Sequence, residues 1–206
     1  MNELIKKVTG LKSTKISQEI GRKLEEFSSF KSRSDDEWFS ELCFCILTAN
    51  SRAITAIKLQ KIIGTSGFLR MPQEKLAETI KSVGHRFHNN KARFIVCARK
   101  FRKIKKILSK EKNPRGFLVK NVKGLGQKEA SHFLRNTGHF DFSIIDRHIV
   151  NLLYEHGLYP ERYEGFRAKE YLRVEDSLRI LADKTRTSLG ELDLYLWFIK
   201  TGNILK

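Results

Sequence analysis

The chain is expected to be all-α, on three observations. No stretch alternates apolar and polar residues at period two for long enough to build a sheet. Apolar residues recur instead at steps of three and four. The segments that carry them are opened and closed by residues that cap helices. With 206 residues, the chain is long enough for one substantial core or two small helical lobes.

Ser34-Asp-Asp-Glu37 reads as a capping box, in which serine and glutamate each take a backbone N–H at the start of a helix. The run it opens, Trp38 to Leu47, is apolar on nearly every side and predicts a helix buried from all directions. Pro72 starts a helix through Leu76, Ile80 and Val83 that Gly84 can end, a Pro-first, Gly-last arrangement. Phe94, Cys97, Phe101, Ile104 and Leu108 then predict one helix with a single apolar face. Lys91, Arg93, Arg99, Lys100, Arg102, Lys103, Lys105 and Lys106 take much of the remainder, as a solvated surface or as phosphate contacts.

Asn113-Pro-Arg-Gly116 marks a break. After Asp146 a helix runs through Ile149, Leu152 and Leu153 and stops near Gly157, and Pro160 to Arg167 reads as a polar connector. Tyr171, Val174, Leu178 and Leu181 line another helix. Ser188-Leu-Gly-Glu191 is a second capping box, opening a helix with Leu192, Tyr195, Leu196 and Ile199 that stops at Thr201-Gly202.

Charge narrows the function. Forty Lys and Arg against 23 Asp and Glu leave a formal charge of +17, which calls for a polyanionic partner. The basic residues are spread along the chain, with no amphipathic anchor and no spanning apolar stretch of about 20 residues, so a membrane is not expected. The three cysteines, Cys43, Cys45 and Cys97, read as buried thiols in a reducing compartment. None follows Cys97, which excludes a four-cysteine iron-sulfur cluster near the C-terminus. His85 and His88 lie three apart without a third ligand, so no metal and no cofactor is expected. The start, Met-Asn-Glu-Leu-Ile-Lys-Lys, has no signal-peptide core, and the expected location is the cytoplasm.

The most informative segment is Val122-Lys-Gly-Leu-Gly-Gln-Lys128-Glu-Ala-Ser-His-Phe-Leu-Arg135. Gly124 and Gly126 can turn a tight hairpin and let backbone approach a phosphate. The helix that follows presents free N–H groups and its positive dipole end to that anion. Lys128, in its first turn, meets a positive dipole end and cationic neighbours such as Lys123, conditions that favour a neutral, nucleophilic amine. Taken alone, such a Gly-x-Gly is also an ordinary turn, and such a lysine also an ordinary solvated one.

Context decides between these readings. The hairpin, its lysine and the later Ile144-Ile-Asp146-Arg-His148-Ile resemble the helix-hairpin-helix superfamily of base-excision DNA glycosylases. Leu47-Thr-Ala-Asn50, Gly84-His-Arg-Phe-His-Asn-Asn-Lys91-Ala and the Trp38 to Leu47 run agree in order. The chain is most similar to the archaeal and bacterial type-2 8-oxoguanine DNA glycosylases, which end in a helix carrying tryptophan and a terminal lysine, as in Trp197 and Lys206. The wider superfamily usually has proline before the first hairpin glycine. Lys123 stands there instead, with a further phosphate-binding charge.

The resemblance implies a two-lobed fold with its active site in the inter-lobe cleft: a middle bundle of residues 50–137, and a second lobe from 1–49 and 138–206. It implies a monomer that acts on double-stranded DNA holding a damaged base. Lys128 would attack the sugar C1′ and displace the base, with Schiff-base elimination nicking the strand. Asp146 would stabilise positive charge on the sugar and carry protons, although a helix cap is its plain alternative. Lys123, Gly124 and Gly126 would grip the DNA backbone. Asn50 would enter the vacated stack, or serve only as a turn residue. Phe87 and Trp197 are candidate walls for the base, with core packing as the alternative, and the terminal carboxylate of Lys206 could accept its N7 proton if Ile204 and Leu205 anchor the tail. A glycosylase for another damaged or mismatched base, or a non-catalytic DNA-binding module, shares most of these features.

Overall fold

Leu4 and Val8, four residues apart, are buried on α1 (Asn2–Lys12), and Ile20 and Phe27 on α2 (Lys15–Ser29), two amphipathic helices that start the chain. There follow α3 (Asp35–Thr48), α4 (Ala53–Arg70), α5 (Gln73–Ser82), α6 (His88–Ala98), α7 (Ile104–Leu108), α8 (Pro114–Asn121) and α9 (Gln127–Asn136). The last three are α10 (Arg147–Glu155), α11 (Ala168–Thr185) and α12 (Leu189–Thr201). This structure, a computed structural model, describes residues 1–162, 165 and 168–206, and no strand occurs among them. The expected connector from Pro160 to Arg167 lies partly outside the described residues. Among the described residues no helix is long and apolar enough to cross a membrane.

Contacts divide the chain into two compact units, residues 30–137 and residues 1–29 with 138–206. The division falls between Ser29 and Phe30, ahead of the 49/50 boundary expected from the resemblance, and α3 packs against α4 and α9 of the central unit.

In the central unit Ser34 and Glu37 form the reciprocal capping box, and every residue of α3 from Trp38 to Thr48 is buried. The single helix expected from Phe94 to Leu108 is instead broken. The α6 helix ends at Ala98 and tightens into a 3-10 turn over Arg99–Phe101 before α7. Arg99 accounts for the break, since its guanidinium reaches the Phe68 and Met71 carbonyls at the end of α4. The buried face of α6 is Ala92, Ile95 and Ala98, one residue away from the expected one, so Cys97 is exposed rather than buried. Lys91, expected among the outward cations, is buried on the same face.

The other unit packs α1 against α11 and α12, and α2 against α12. Its core includes Leu153, Tyr171, Val174, Leu178 and Tyr195. Polar side chains from this core pin the segment that leads into α10. The Tyr171 hydroxyl donates to the Ser143 carbonyl at 2.7 Å and accepts from Ile145 N at 3.1 Å, and Asp193 Oδ1 accepts from Ile144 N at 3.2 Å. Asp146 therefore leaves a backbone that is held at three consecutive residues.

Candidate active site

Gly124 turns the hairpin with φ +90°, a left-handed conformation that costs a residue with a Cβ roughly 1–2 kcal/mol. Gly126 is extended, at φ −96° and ψ −169°, and is the N-cap of α9. Lys123 is exposed beside the turn. Lys128 occupies the second position of α9, where the first N–H groups of a helix have no partner within it. The Lys128 side chain is 34% exposed and its Nζ lies 3.2 Å from Glu129 Oε1. The sequence predicts cationic company here, whereas the charge paired with the amine is a carboxylate.

The other oxygen of Glu129, Oε2, accepts the Gly126 N–H at 3.1 Å. This is half of a capping box, as glycine has no side chain to return the bond. One hairpin N–H expected to face phosphate is thereby engaged within the protein. The signal was local and available: Gly126-x-x-Glu129 has capping-box spacing.

A second set of groups closes the end of α3, two of them local and two, Lys91 and His85, side chains from far along the chain. The last four carbonyls of a helix lack partners within it, and here each finds a donor. Thr48 Oγ1 donates to Cys45 O at 2.8 Å, Lys91 Nζ to Ile46 O at 2.6 Å, and Ser51 N to Thr48 O at 3.0 Å. His85 Nε2 meets Leu47 O at 3.1 Å. Burial of Lys91, opposed by Glu129 and reinforced by Lys128, lowers its ammonium to about 8. Beyond this closed end stands Asn50, exposed and left-handed at φ +58°, a conformation asparagine tolerates better than most residues. Phe87, 40% exposed, caps α6 and sets its ring edge-on to His85, with the Arg86 guanidinium 5.4 Å from its centre.

In the other unit Asp146 is the N-cap of α10. Its Oδ1 accepts from His148 N at 2.8 Å and Ile149 N at 3.0 Å, so the capping alternative is realised while Oδ2 takes neither bond. The His148 ring then packs edge-on to Trp197, with centroids 5.7 Å apart, which brings these two candidates together through one residue. Trp197 is only partly buried, yet its Nε1–H is enclosed and has no acceptor among the described residues. Left-handed Gly202 ends α12, and Ile204 beyond it packs on the core of this unit, carrying the chain to a half-buried Lys206. Among the described residues no three His, Cys, Asp or Glu side chains are grouped to hold a metal ion.

The two hairpin glycines should respond differently to substitution. A Cβ on Gly124 would stand 2.6 Å from Phe94 Cδ2, in addition to the backbone strain, whereas one on Gly126 meets only Glu129 Oε2 at 3.2 Å. Gly124→Ala is expected to cost about 2–4 kcal/mol in urea unfolding. Gly126→Ala should cost under about 1 kcal/mol. Equal losses would contradict the assignment of the turn to Gly124.

The chain is similar in sequence and in fold to known proteins. A family model described as 8-oxoguanine DNA glycosylase matches residues 20–187. The 8-oxoguanine DNA glycosylase/AP lyase of Methanocaldococcus jannaschii is 49% identical over 206 residues, 98% of this chain and 99% of that protein. The crystal structure of the Methanocaldococcus jannaschii 8-oxoguanine glycosylase/lyase in complex with 15mer DNA containing 8-oxoguanine superposes with a TM-score of 0.96 at 48% identity, covering 99% of this chain and all of that one. For the 8-oxoguanine DNA glycosylase of Thermotoga maritima the TM-score is 0.93 at 42% identity, with both chains fully covered.

Proposed function

This chain belongs to the 8-oxoguanine DNA glycosylase family, and from that membership we propose that it is a DNA repair glycosylase and AP lyase that excises 8-oxoguanine from duplex DNA. One observation carries the reading. A lysine, Lys128, stands in the first turn of a helix entered through a left-handed glycine hairpin, so a nucleophile and a phosphate-binding helix end are built from the same few residues.

A base stacked in duplex DNA shields its glycosidic bond, so the nucleotide must be extruded. Lys123, Gly124 and Gly126 hold the DNA backbone at the hairpin. The neutral Lys128 amine attacks C1′ and the base departs with the bonding electrons, taking up a proton. The resulting amino-sugar opens to a Schiff base, and loss of a C2′ proton expels the 3′ phosphate, which nicks the strand. The Oδ2 atom of Asp146, left out of the helix cap, stabilises positive charge on the sugar and passes protons. Asn50 fills the space the nucleotide leaves. Phe87, expected as a wall for the base, is reassigned to the same space because His85 links it to the end of α3 beside Asn50, while Trp197 and Lys206 receive the base. The net charge of +17 suits duplex DNA, a polyanion, and the enzyme is proposed to act on it as a monomer, in the cytoplasm and on the nucleoid.

Incubation with an 8-oxoguanine duplex and borohydride should trap a covalent adduct, whereas undamaged and thymine-glycol duplexes should not. Equal trapping on thymine glycol would replace 8-oxoguanine as the substrate. Deleting Lys206 is expected to reduce 8-oxoguanine excision far more than binding to an abasic-site analogue, and equal activity would remove Lys206 from base recognition.

A further inference from the structure

Phe87 and the last turn of α3, which leads directly into the turn at Asn50, meet at one buried histidine. His85 is 4% exposed. Its Nδ1 accepts the Phe87 backbone N–H at 3.2 Å, and its Nε2 faces the Leu47 carbonyl at 3.1 Å. A backbone N–H can only donate, so Nδ1 must carry a lone pair. The ring proton is then on Nε2, where it donates to Leu47. Both bonds require the neutral ring in this one tautomer.

We propose that His85 is a positioning residue for base extrusion, a neutral clamp that holds the Asn50 turn and Phe87 in fixed register so that both act on the opened stack together. The inference rests on the stack-filling reading of Asn50 and Phe87. Three observations carry it. The clamp joins Phe87 to Leu47, which lies 38 residues before His85, through two bonds from one ring. The residues it steadies are themselves outward-facing, Asn50 exposed in a left-handed conformation and Phe87 40% exposed. Lys91 grips the adjacent Ile46 carbonyl, so the end of α3 is held from the same α5–α6 segment at two consecutive residues.

Burial and, to a smaller extent, the surrounding cations favour the neutral ring. Burial lowers the His85 pKa from its ordinary 6.5, the bond to the Leu47 carbonyl opposes this, and Lys91 and His88 on α6 and Arg86 in the preceding turn lower it further. Because the folded value is depressed, the unfolded or released ring binds a proton more readily. The clamp therefore stays intact down to about pH 6.5 and is lost as the pH falls further through the folded value. Protonation puts a hydrogen on Nδ1 and breaks the bond to Phe87.

The test separates the two bonds. His85→Asn places an amide oxygen near the Nδ1 position and can keep the Phe87 bond, while His85→Gln places an amide nitrogen near Nε2 and can keep the Leu47 bond. Single-turnover excision is measured on 8-oxoguanine paired with cytosine and on 8-oxoguanine opposite an abasic-site analogue, where less stacking has to be undone. Each variant should be slowed about tenfold on the paired substrate, the scale of one hydrogen bond, and hardly at all on the other. Equal slowing on both substrates reduces His85 to a structural residue and overturns the proposal.

A second arm needs no substitution. In the unaltered protein the ratio of the two rates should hold down to pH 6.5 and fall below it, and a ratio independent of pH through the acid range overturns the clamp. Asn50→Ala, measured in parallel, keeps the two readings apart. If Asn50→Ala discriminates between the substrates and the His85 variants do not, the clamp alone fails. If Asn50→Ala does not discriminate either, the stack-filling reading fails with it.

Discussion

Lys128→Gln is expected to abolish borohydride trapping and to slow excision of 8-oxoguanine by roughly 10⁴-fold or more, the scale on which enzymes lose rate when their nucleophile is removed. Glutamine has nearly the same helix propensity as lysine and can fill the same position in the first turn of α9. Its amide can still donate to Glu129, so the contact that also engages Gly126 N–H is retained. Stability should change by less than about 1 kcal/mol, since the pair being neutralised is partly exposed. Binding to an 8-oxoguanine duplex should weaken only by the loss of one cation among the 40 Lys and Arg. Loss of activity with binding and melting temperature preserved isolates the chemistry of the amine. Full trapping in this variant would move the nucleophile elsewhere, and Lys91, whose burial already lowers its ammonium to about 8, would be the next lysine to test.

What could be read from the sequence divides by the range of the interaction. The α3 cap was legible because Ser34 and Glu37 are three residues apart and act on each other's backbone. The start of α10 at Asp146 and the left-handed stop at Gly202 were legible for the same reason. Glu129 carries an equally local signal, its i, i+3 relation to Gly126, but the hairpin glycines and the cations around Lys128 dominate that stretch of sequence. Lys91 and His85 were beyond reach. Their partners Ile46 and Leu47 lie 45 and 38 residues away, and no spacing rule specifies which carbonyls at the end of a buried helix will be met from another segment. The misplaced face of α6 has a tertiary origin too. Phe94, Cys97 and Phe101 keep helical spacing, but Arg99 bonds to carbonyls at the end of α4 and the chain tightens before the pattern is complete.

Asp146 offers the second large effect, and its geometry makes charge separable from capping. One oxygen, Oδ1, receives both N–H groups of the cap, at 2.8 and 3.0 Å. Asparagine keeps an acceptor oxygen at that place and is as good an N-cap as aspartate. Asp146→Asn therefore retains the cap and loses only the favourable meeting of a negative charge with the helix dipole, about 0.3–1 kcal/mol. Asp146→Ala loses the cap as well and should cost about 0.5–2 kcal/mol. If the residue serves only the fold, Asn should restore both the melting temperature and the rate that Ala loses. If the carboxylate stabilises a cationic sugar and carries protons, Asn should restore the melting temperature alone, with single-turnover excision remaining about 10²–10⁴-fold slow in both variants. The second outcome is expected, because capping needs only one of the two oxygens and a helix end is served equally well by a neutral acceptor, whereas a developing positive charge is not. Recovery of rate in Asp146→Asn would reassign the residue to the cap and leave the chemistry to Lys128 without it.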